Sequence, residues 1–150
     1  MRDRARAALA LLAQDPRVDA TRLGAIGYCF GGTTVMELAY SGADLAGVVS
    51  FHGGLNAPDE AALAGIKAKL LILHGAADPT VTPAVITATQ EALTRAHADW
   101  QMVYYGGALH GFTNPANAAA TGGAVAYDPK AAARSWAAMR DFFSELFSPR

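Results

Sequence analysis

Short apolar runs alternate along this chain with segments that carry apolar residues at helical spacing. Each run is rich in Val, Ile, Leu or Tyr and is followed by Gly, Pro or Asp, which is typical of a strand that ends in a turn. We predict four strands, at residues 23–28, 46–51, 69–73 and 101–105. Because the runs lack strict alternation of apolar and polar residues, they favour an α/β fold with a mostly parallel sheet covered by helices on both faces.

Helices are predicted before and between these strands. Residues 4–13 are rich in Ala and Leu and stop before Pro16, which cannot extend a helix. Three further helical segments separate the strands, at residues 32–41, 58–66 and 83–98.

The last segment combines a helix start signal with an apolar stripe. Asp128 stands where an N-cap is needed, and Pro129 occupies the first helical position. The stripe carries four large apolar side chains, Trp136, Met139, Phe143 and Phe147. We expect a long C-terminal helix that packs on the sheet. The small, polar, glycine-rich residues 111–127 before it are interpreted as a loop near the rim of an active site.

Composition excludes several classes of protein. The 150 residues are 52% hydrophobic, which suffices for one globular domain over residues 1–150. The net charge is −1 and the twelve Lys and Arg are scattered, so we expect no nucleic acid partner. No apolar run approaches the ~20 residues of a membrane span. Residues 1–14 lack a convincing cleavage site of a signal peptide, so we predict a cytoplasmic protein.

The single cysteine, Cys29, lies between a predicted strand and a predicted helix in the run Gly-Tyr-Cys-Phe-Gly-Gly. A lone cysteine is more often a buried core residue, but this context is that of a nucleophile elbow with cysteine in place of serine. In such a turn Gly27 and Gly31 are expected to be required, because a Cβ there would collide with neighbouring backbone. The following helix N-terminus favours a thiolate, and the backbone N–H of Phe30 is the expected oxyanion donor.

Two further residues follow in the order that this architecture requires, which is nucleophile, carboxylate, histidine. Asp78 comes shortly after the third predicted strand, and His110 after the fourth. Because the carboxyl ends of parallel strands meet at one edge, we predict a triad in which His110 deprotonates Cys29 and Asp78 orients His110. Phe112 is close enough to His110 in sequence to line the pocket.

The other histidines are interpreted as structural. His52 and His74 end buried strands, where a hydrogen-bonded structural imidazole is expected, and His97 falls on a predicted helix surface. The sequence shows neither the spacing of metal ligands nor a phosphate-binding Gly-rich loop. We therefore predict chemistry without a metal or cofactor.

Four segments resemble the dienelactone hydrolase family, and together they cover nearly the whole chain. They are residues 22–32, residues 74–78, residues 110–115 with the run His-Gly-Phe-Thr-Asn-Pro, and residues 127–136. The resemblance implies an α/β-hydrolase fold and a small-molecule ester or lactone as substrate. It further implies attack by Cys29 on the carbonyl, an acyl-enzyme, and hydrolysis by water activated at His110.

The resemblance covers the C-terminal half of that fold. In the family several strands and helices precede the nucleophile strand, which begins here near residue 22. We expect the missing half to hold the second oxyanion donor and the residues that bind the substrate carboxylate. The strand at residues 23–28 would then have an unpaired edge, which favours pairing with that half or with a second copy of the chain.

Two alternatives remain beside a hydrolase. The chain could be a truncated, catalytically inactive module that acts by self-association or by binding a partner. Class I glutamine amidotransferases also place cysteine in a Gly-x-Cys-x-Gly turn, but they carry glutamate two residues after the histidine. Phe112 stands at that position here, which argues against the amidotransferases.

Overall fold

The computed structural model describes residues 1–119 and 123–148. Its strands are β1 (Gly24–Tyr28), β2 (Gly47–Phe51), β3 (Lys69–Gly75) and β4 (Trp100–Tyr105). Its helices are α1 (Arg2–Ala13), α2 (Phe30–Tyr40), α3 (Glu60–Leu63), α4 (Pro83–Arg95) and α5 (Pro129–Phe147), with a 3₁₀ turn at Pro115–Ala119. Within the described residues, the strands predicted from the apolar runs are confirmed to within two residues at each end.

The four strands form one parallel sheet in the order β1-β2-β3-β4. The register pairs Tyr28 with Phe51 and Phe51 with Leu73, so β1 and β2 end level, and β3 and β4 end two residues further along, where Gly75 pairs with Tyr105. Loops that follow these strands therefore open on the same edge of the sheet. The predicted α/β class with a parallel sheet is confirmed.

Apolar side chains cover both faces of the sheet, which explains why the strand sequences do not alternate. Leu70 and Ile72 pack on one face with residues from α2 and α4, and Leu71 and Leu73 pack on the other with Met139 of α5. All four leucine and isoleucine side chains of β3 are at most 2% exposed. Full burial of such a side chain stabilises the fold by about 1.5–3 kcal/mol.

The helix ends follow local capping chemistry, and this corrects two predictions. Asp59 caps α3 by accepting the N–H of Ala62, and the helix is a single turn rather than the predicted 58–66. The helix α4 ends at Arg95, so His97 lies beyond it with a φ of 51° instead of on the helix surface. A positive φ cannot continue a right-handed helix, which explains the early end.

The helix α5 begins as predicted but presents a different face to the sheet. Asp128 accepts the N–H groups of Lys130 and Ala131. The buried residues are Ala131, Ser135 and Met139, whereas Trp136 is 48% exposed. The prediction that Trp136 packs on the sheet is wrong, because the buried residues recur at every fourth position from Ala131 to Met139 and Trp136 lies beside this row.

Strand β1 lies at the edge of the sheet formed by the described residues. Ile26 and Tyr28 are 43% and 38% exposed, and the outer backbone groups of β1 face away from β2. The predicted edge is therefore present. In the described part of the chain, no helix combines the length and hydropathy needed to cross a bilayer.

Candidate active site

Cys29 occupies a tight turn between β1 and α2. Its backbone has φ 54° and ψ −121°, a conformation that a side-chain-bearing residue adopts only when surrounding structure enforces it. A Cβ on Gly27 would lie 2.1 Å from the carbonyl oxygen of Gly31, so glycine is required there as predicted. The turn leaves the cysteine exposed, which suits a nucleophile and excludes a buried core role.

The second predicted glycine requirement is wrong. A Cβ on Gly31 would meet nothing within 4 Å, whereas one on Gly32 would lie 2.7 Å from Ser50 Oγ and 2.9 Å from Gly53 Cα. Gly31 crowds the turn through its carbonyl, and its own Cβ position faces open space. The close approach of α2 to the end of β2 occurs one residue later, at Gly32.

Phe30 is the first residue of α2. A backbone N–H in the first turn of a helix has no acceptor within that helix, so this N–H is free to meet an anion beside Cys29. Its side chain is 68% exposed. The position agrees with the predicted oxyanion donor, and the donor role itself stays a prediction.

The three predicted triad residues lie together at the carboxyl edge of the sheet. Cys29 Sγ is 2.8 Å from His110 Nε2, and His110 Nδ1 is 2.9 Å from Asp78 Oδ2. The three residues follow the ends of β1, β3 and β4, respectively. The side chain of Asp78 is fully buried and that of His110 is 14% exposed, so the carboxylate is shielded while the thiol remains accessible.

Thr80 also contacts Asp78, a role that was not predicted from the sequence. Its backbone N–H and its Oγ1–H donate to Asp78 Oδ1 at 2.8 Å and 2.6 Å. Burial raises the pKa of Asp78, but hydrogen bonds from Thr80 and His110 outweigh burial and hold that pKa below its ordinary value. The carboxylate is therefore ionised at neutral pH and keeps the proton of His110 on Nδ1. An Asp followed two residues later by Thr is a turn signal that could have indicated this contact.

A cavity of about 530 Å³ opens beside the thiol. Its walls come from the elbow, the end of β2 and the loop after His110, and the lining residues are Tyr28, Cys29, His52, His110, Gly111, Thr113, Asn114, Pro115, Asn117 and Val125. The loop predicted at residues 111–127 thus forms the rim, although residues 120–122 lie outside the described residues. Asn117 Nδ2–H stabilises the rim by donating to the carbonyl of Gly111 at 3.0 Å.

Phe112 does not line this cavity, contrary to the prediction. It is fully buried in the core cluster on the α5 side of the sheet. Gly111 has a φ of 65° and turns the chain, so Phe112 enters the core and the next residue, Thr113, faces the cavity. The Phe112 ring packs edge-on against the His52 ring, with centroids 5.0 Å apart.

The two strand-end histidines differ. His52 Nδ1 accepts the N–H of Cys29 at 3.2 Å, and His52 Nε2 lies 2.8 Å from Thr113 Oγ1. His74 is equally buried, but its Nδ1 has no hydrogen-bond partner in the described part of the chain. The expectation of a hydrogen-bonded imidazole therefore holds for His52 and fails at His74 Nδ1. Sequence reasoning also missed that His52 belongs to the cavity wall.

Together, the parallel sheet, the elbow and the order of Cys29, Asp78 and His110 define a part of an α/β-hydrolase fold. A family model described as "Dienelactone hydrolase family" matches residues 1–147, and the chain belongs to this family.

The chain is also similar to a protein of known sequence and to solved structures. A Caenorhabditis elegans protein named "Uncharacterized protein K02A2.1" is 36% identical over 155 residues, which are 99% of this chain and 95% of that protein. The solved structure titled m3DLH is 48% identical with a TM-score of 0.93 over 98% of this chain. A dienelactone hydrolase-like promiscuous phosphotriesterase, P91, from metagenomic libraries is 44% identical with a TM-score of 0.93, also over 98% of this chain.

These solved structures are longer than the present chain. The chain spans 61% of the first structure and 62% of the second. The residues described here thus correspond to somewhat less than two thirds of those folds.

Proposed function

We propose that this chain carries the catalytic residues of a hydrolase that cleaves carboxylic esters or lactones through a cysteine acyl-enzyme. The proposal rests on two consecutive hydrogen bonds. Cys29 Sγ lies 2.8 Å from His110 Nε2, and His110 Nδ1 lies 2.9 Å from Asp78 Oδ2. This contact lies beside an open cavity of about 530 Å³, which is large enough for a small-molecule substrate.

The geometry supports a two-step reaction. His110 Nε2 takes the thiol proton, and Cys29 Sγ attacks the carbonyl carbon of the substrate. The resulting oxyanion accepts the N–H of Phe30 at the start of α2. The C–O bond to the leaving group then breaks, the alcohol leaves with the proton from His110, and a thioester to Cys29 remains.

Water completes the cycle. His110 takes a proton from water, whose oxygen attacks the thioester carbonyl, and the C–S bond breaks. The acid leaves and the proton returns to the Cys29 and His110 pair. Asp78 holds His110 in the required tautomer throughout and stabilises the imidazolium. The net reaction consumes one ester and one water and needs no metal or cofactor.

Hydrolysis of p-nitrophenyl acetate by the purified chain tests the proposal. We expect turnover by the wild-type chain and losses of about 10⁴-fold in kcat in Cys29→Ala and His110→Ala. His97→Ala is the matched control, because His97 is exposed and lies beyond α4, and it should retain full activity. Absence of turnover, or turnover that Cys29→Ala leaves unchanged, would contradict the proposal.

A second substrate class follows from the similarity to the 44% identical phosphotriesterase. A thiolate at Cys29 could displace an aryloxide from the phosphorus of a neutral phosphotriester, and water would then release the phosphodiester. Diethyl p-nitrophenyl phosphate is the probe. Release of p-nitrophenol that disappears in Cys29→Ala extends the proposed substrates to phosphotriesters, and its absence restricts them to carboxylic esters.

The alternative function is that of an inactive module that associates through β1. The exposed Ile26 and Tyr28 on this edge strand favour it, because unpaired strand edges bind other strands. Solution mass measured by light scattering separates the two functions. An inactive dimer that Ile26→Lys converts to a monomer supports the alternative, and an active monomer excludes it.

A further inference from the structure

His52 connects the turn that carries Cys29 with the loop that carries His110 and Thr113. It follows β2 directly, at a φ of 39°, and is 3% exposed. On one side its Nδ1 accepts the backbone N–H of Cys29 at 3.2 Å, a donor that it shares with the carbonyl oxygen of Phe51 at 3.0 Å. On the other side its Nε2 lies 2.8 Å from Thr113 Oγ1. Thr113 belongs to the same loop as His110, three residues further along.

The contacts define the protonation state of the ring. A backbone N–H can only donate, so Nδ1 must be unprotonated to accept from Cys29. In the neutral ring the proton is therefore on Nε2, which donates to Thr113 Oγ1. Burial, and then the nearby His110, together lower the pKa of His52 to about 4, so the neutral ring prevails at neutral pH.

The sheet topology explains why the hydrogen bonds of His52 to Cys29 and Thr113 matter. Cys29 follows β1 and His110 follows β4, and these strands lie at opposite edges of the sheet with β2 and β3 between them. The 2.8 Å contact between the thiol and His110 Nε2 therefore depends on how the elbow and the loop after β4 are held together. His52 hydrogen-bonds both, from the strand that neighbours the elbow.

We infer that His52 is a positioning residue that ties the Cys29 elbow to the His110 loop and so keeps the thiol and the imidazole in contact. The inference rests on the proposed function, because it assigns His52 a role only through Cys29 and His110. His52 contacts the backbone of the nucleophile. The triad residues, not His52, contact the substrate and transfer the proton.

Alkylation of Cys29 by iodoacetamide at a series of pH values provides the readout. It reports the reactive thiolate directly and does not require ester turnover. A thiol that can pass its proton to His110 is alkylated in weakly acidic solution, and a thiol that has lost this contact reacts there more slowly. Cys29 is the single cysteine, so the signal is unambiguous.

The test variant is His52→Phe, which keeps an aromatic ring and removes both hydrogen bonds. We expect alkylation at pH 6 to slow about tenfold, with the rate at pH 9.5 retained. Thr113→Val removes the acceptor from the other side and should slow alkylation at pH 6 about threefold. His52→Gln keeps a side-chain N–H toward Thr113 and should recover part of the rate. If His52→Phe fails to fold, Thr113→Val decides the outcome.

His74→Phe is the matched control. His74 directly follows Leu73, and His52 directly follows Phe51, the residue paired with Leu73. His74 is 2% exposed, and in the described part of the chain its Nδ1 has no hydrogen-bond partner. It should leave the alkylation profile unchanged, and thermal melting should show all tested variants folded. A purely structural role for His52 would lower thermal stability without changing the profile.

The outcomes separate this inference from the proposed function. A wild-type chain that alkylates only with the ordinary thiol profile contradicts both, because there is then no activated pair to position. A wild-type chain with the activated profile, retained in folded His52→Phe or Thr113→Val, overturns the inference alone.

Discussion

The carboxyl edge of the sheet and the strand interiors behind it are built from different chemistry. Inside the strands, Val48, Val49 and residues 70–73 are at most 2% exposed and pack apolar groups on both faces. At the edge, Cys29 and His52 both have a positive φ and hydrogen bonds connect the polar side chains. Burial of apolar groups in the interior stabilises the fold, and this stabilisation offsets the backbone strain of the positive-φ residues at the edge.

This separation implies that interior substitutions affect stability alone, whereas edge substitutions affect the thiol or its turn as well as stability. A change in the interior should lower the free energy of unfolding without altering the thiol. A change at the edge should alter the thiol or the turn that presents it. The following predictions test this division, in order of decreasing effect.

Gly27→Ala should have the largest effect. The new Cβ would lie 2.1 Å from the Gly31 carbonyl oxygen, so the elbow cannot close without moving backbone. We expect the free energy of unfolding to fall by about 4 kcal/mol, or the chain to fail to fold. Urea titration followed by circular dichroism measures it.

Gly31→Ala is the matched control for Gly27→Ala, because nothing lies within 4 Å of its Cβ position. It should change the unfolding free energy by no more than about 0.5 kcal/mol. Equal destabilisation by the two variants would show that the elbow is not limited by the crowding at Gly27.

Leu71→Ala tests the interior. Leu71 is 1% exposed in the core cluster that contains Phe112, and its truncation should cost about 3 kcal/mol through lost burial and a cavity. The alkylation profile of Cys29 should remain that of the wild type below the melting temperature. Leu11→Ala, at a residue that is 73% exposed, is the control and should be nearly neutral. A changed thiol profile in Leu71→Ala would show that the interior and the edge are coupled.

Acid should destabilise the chain through His52. Burial, and then the charge of His110, lower the pKa of His52 from 6.5 to about 4, while Asp78 opposes them. The folded state thus binds fewer protons than the unfolded state between these values, so the stabilising contribution is complete above pH 6.5 and is lost as pH falls toward 4. We expect a loss of about 3 kcal/mol over this window relative to His52→Phe.

Urea titrations of both chains at pH 7, 6, 5 and 4 measure this difference. Asp78, His74 and His110 are present in both chains, so their titration largely cancels in the comparison. Parallel pH dependence of the wild type and His52→Phe would show that His52 accepts a proton in the folded state without cost.

Much of the fold and the site follows from local signals in the sequence. The apolar runs specify the strands, because a strand buried on both faces needs apolar residues at nearly every position. Cys29, Asp78 and His110 could be selected because each follows a predicted strand, and a parallel sheet brings such residues to one edge. Asp128 and Pro129 specify the start of α5, because capping depends on adjacent residues only.

What the sequence by itself determined, then, is the set of strands, the caps and the order of the triad residues along the chain. The tertiary structure alone decided which glycine is crowded, which face of α5 is buried and where Phe112 and Trp136 lie. It also decided that Thr80 supports Asp78 and that His52 bridges Cys29 and Thr113. These outcomes depend on distances between segments far apart in the chain, and the periodicity of one segment carries no information on how closely another approaches it.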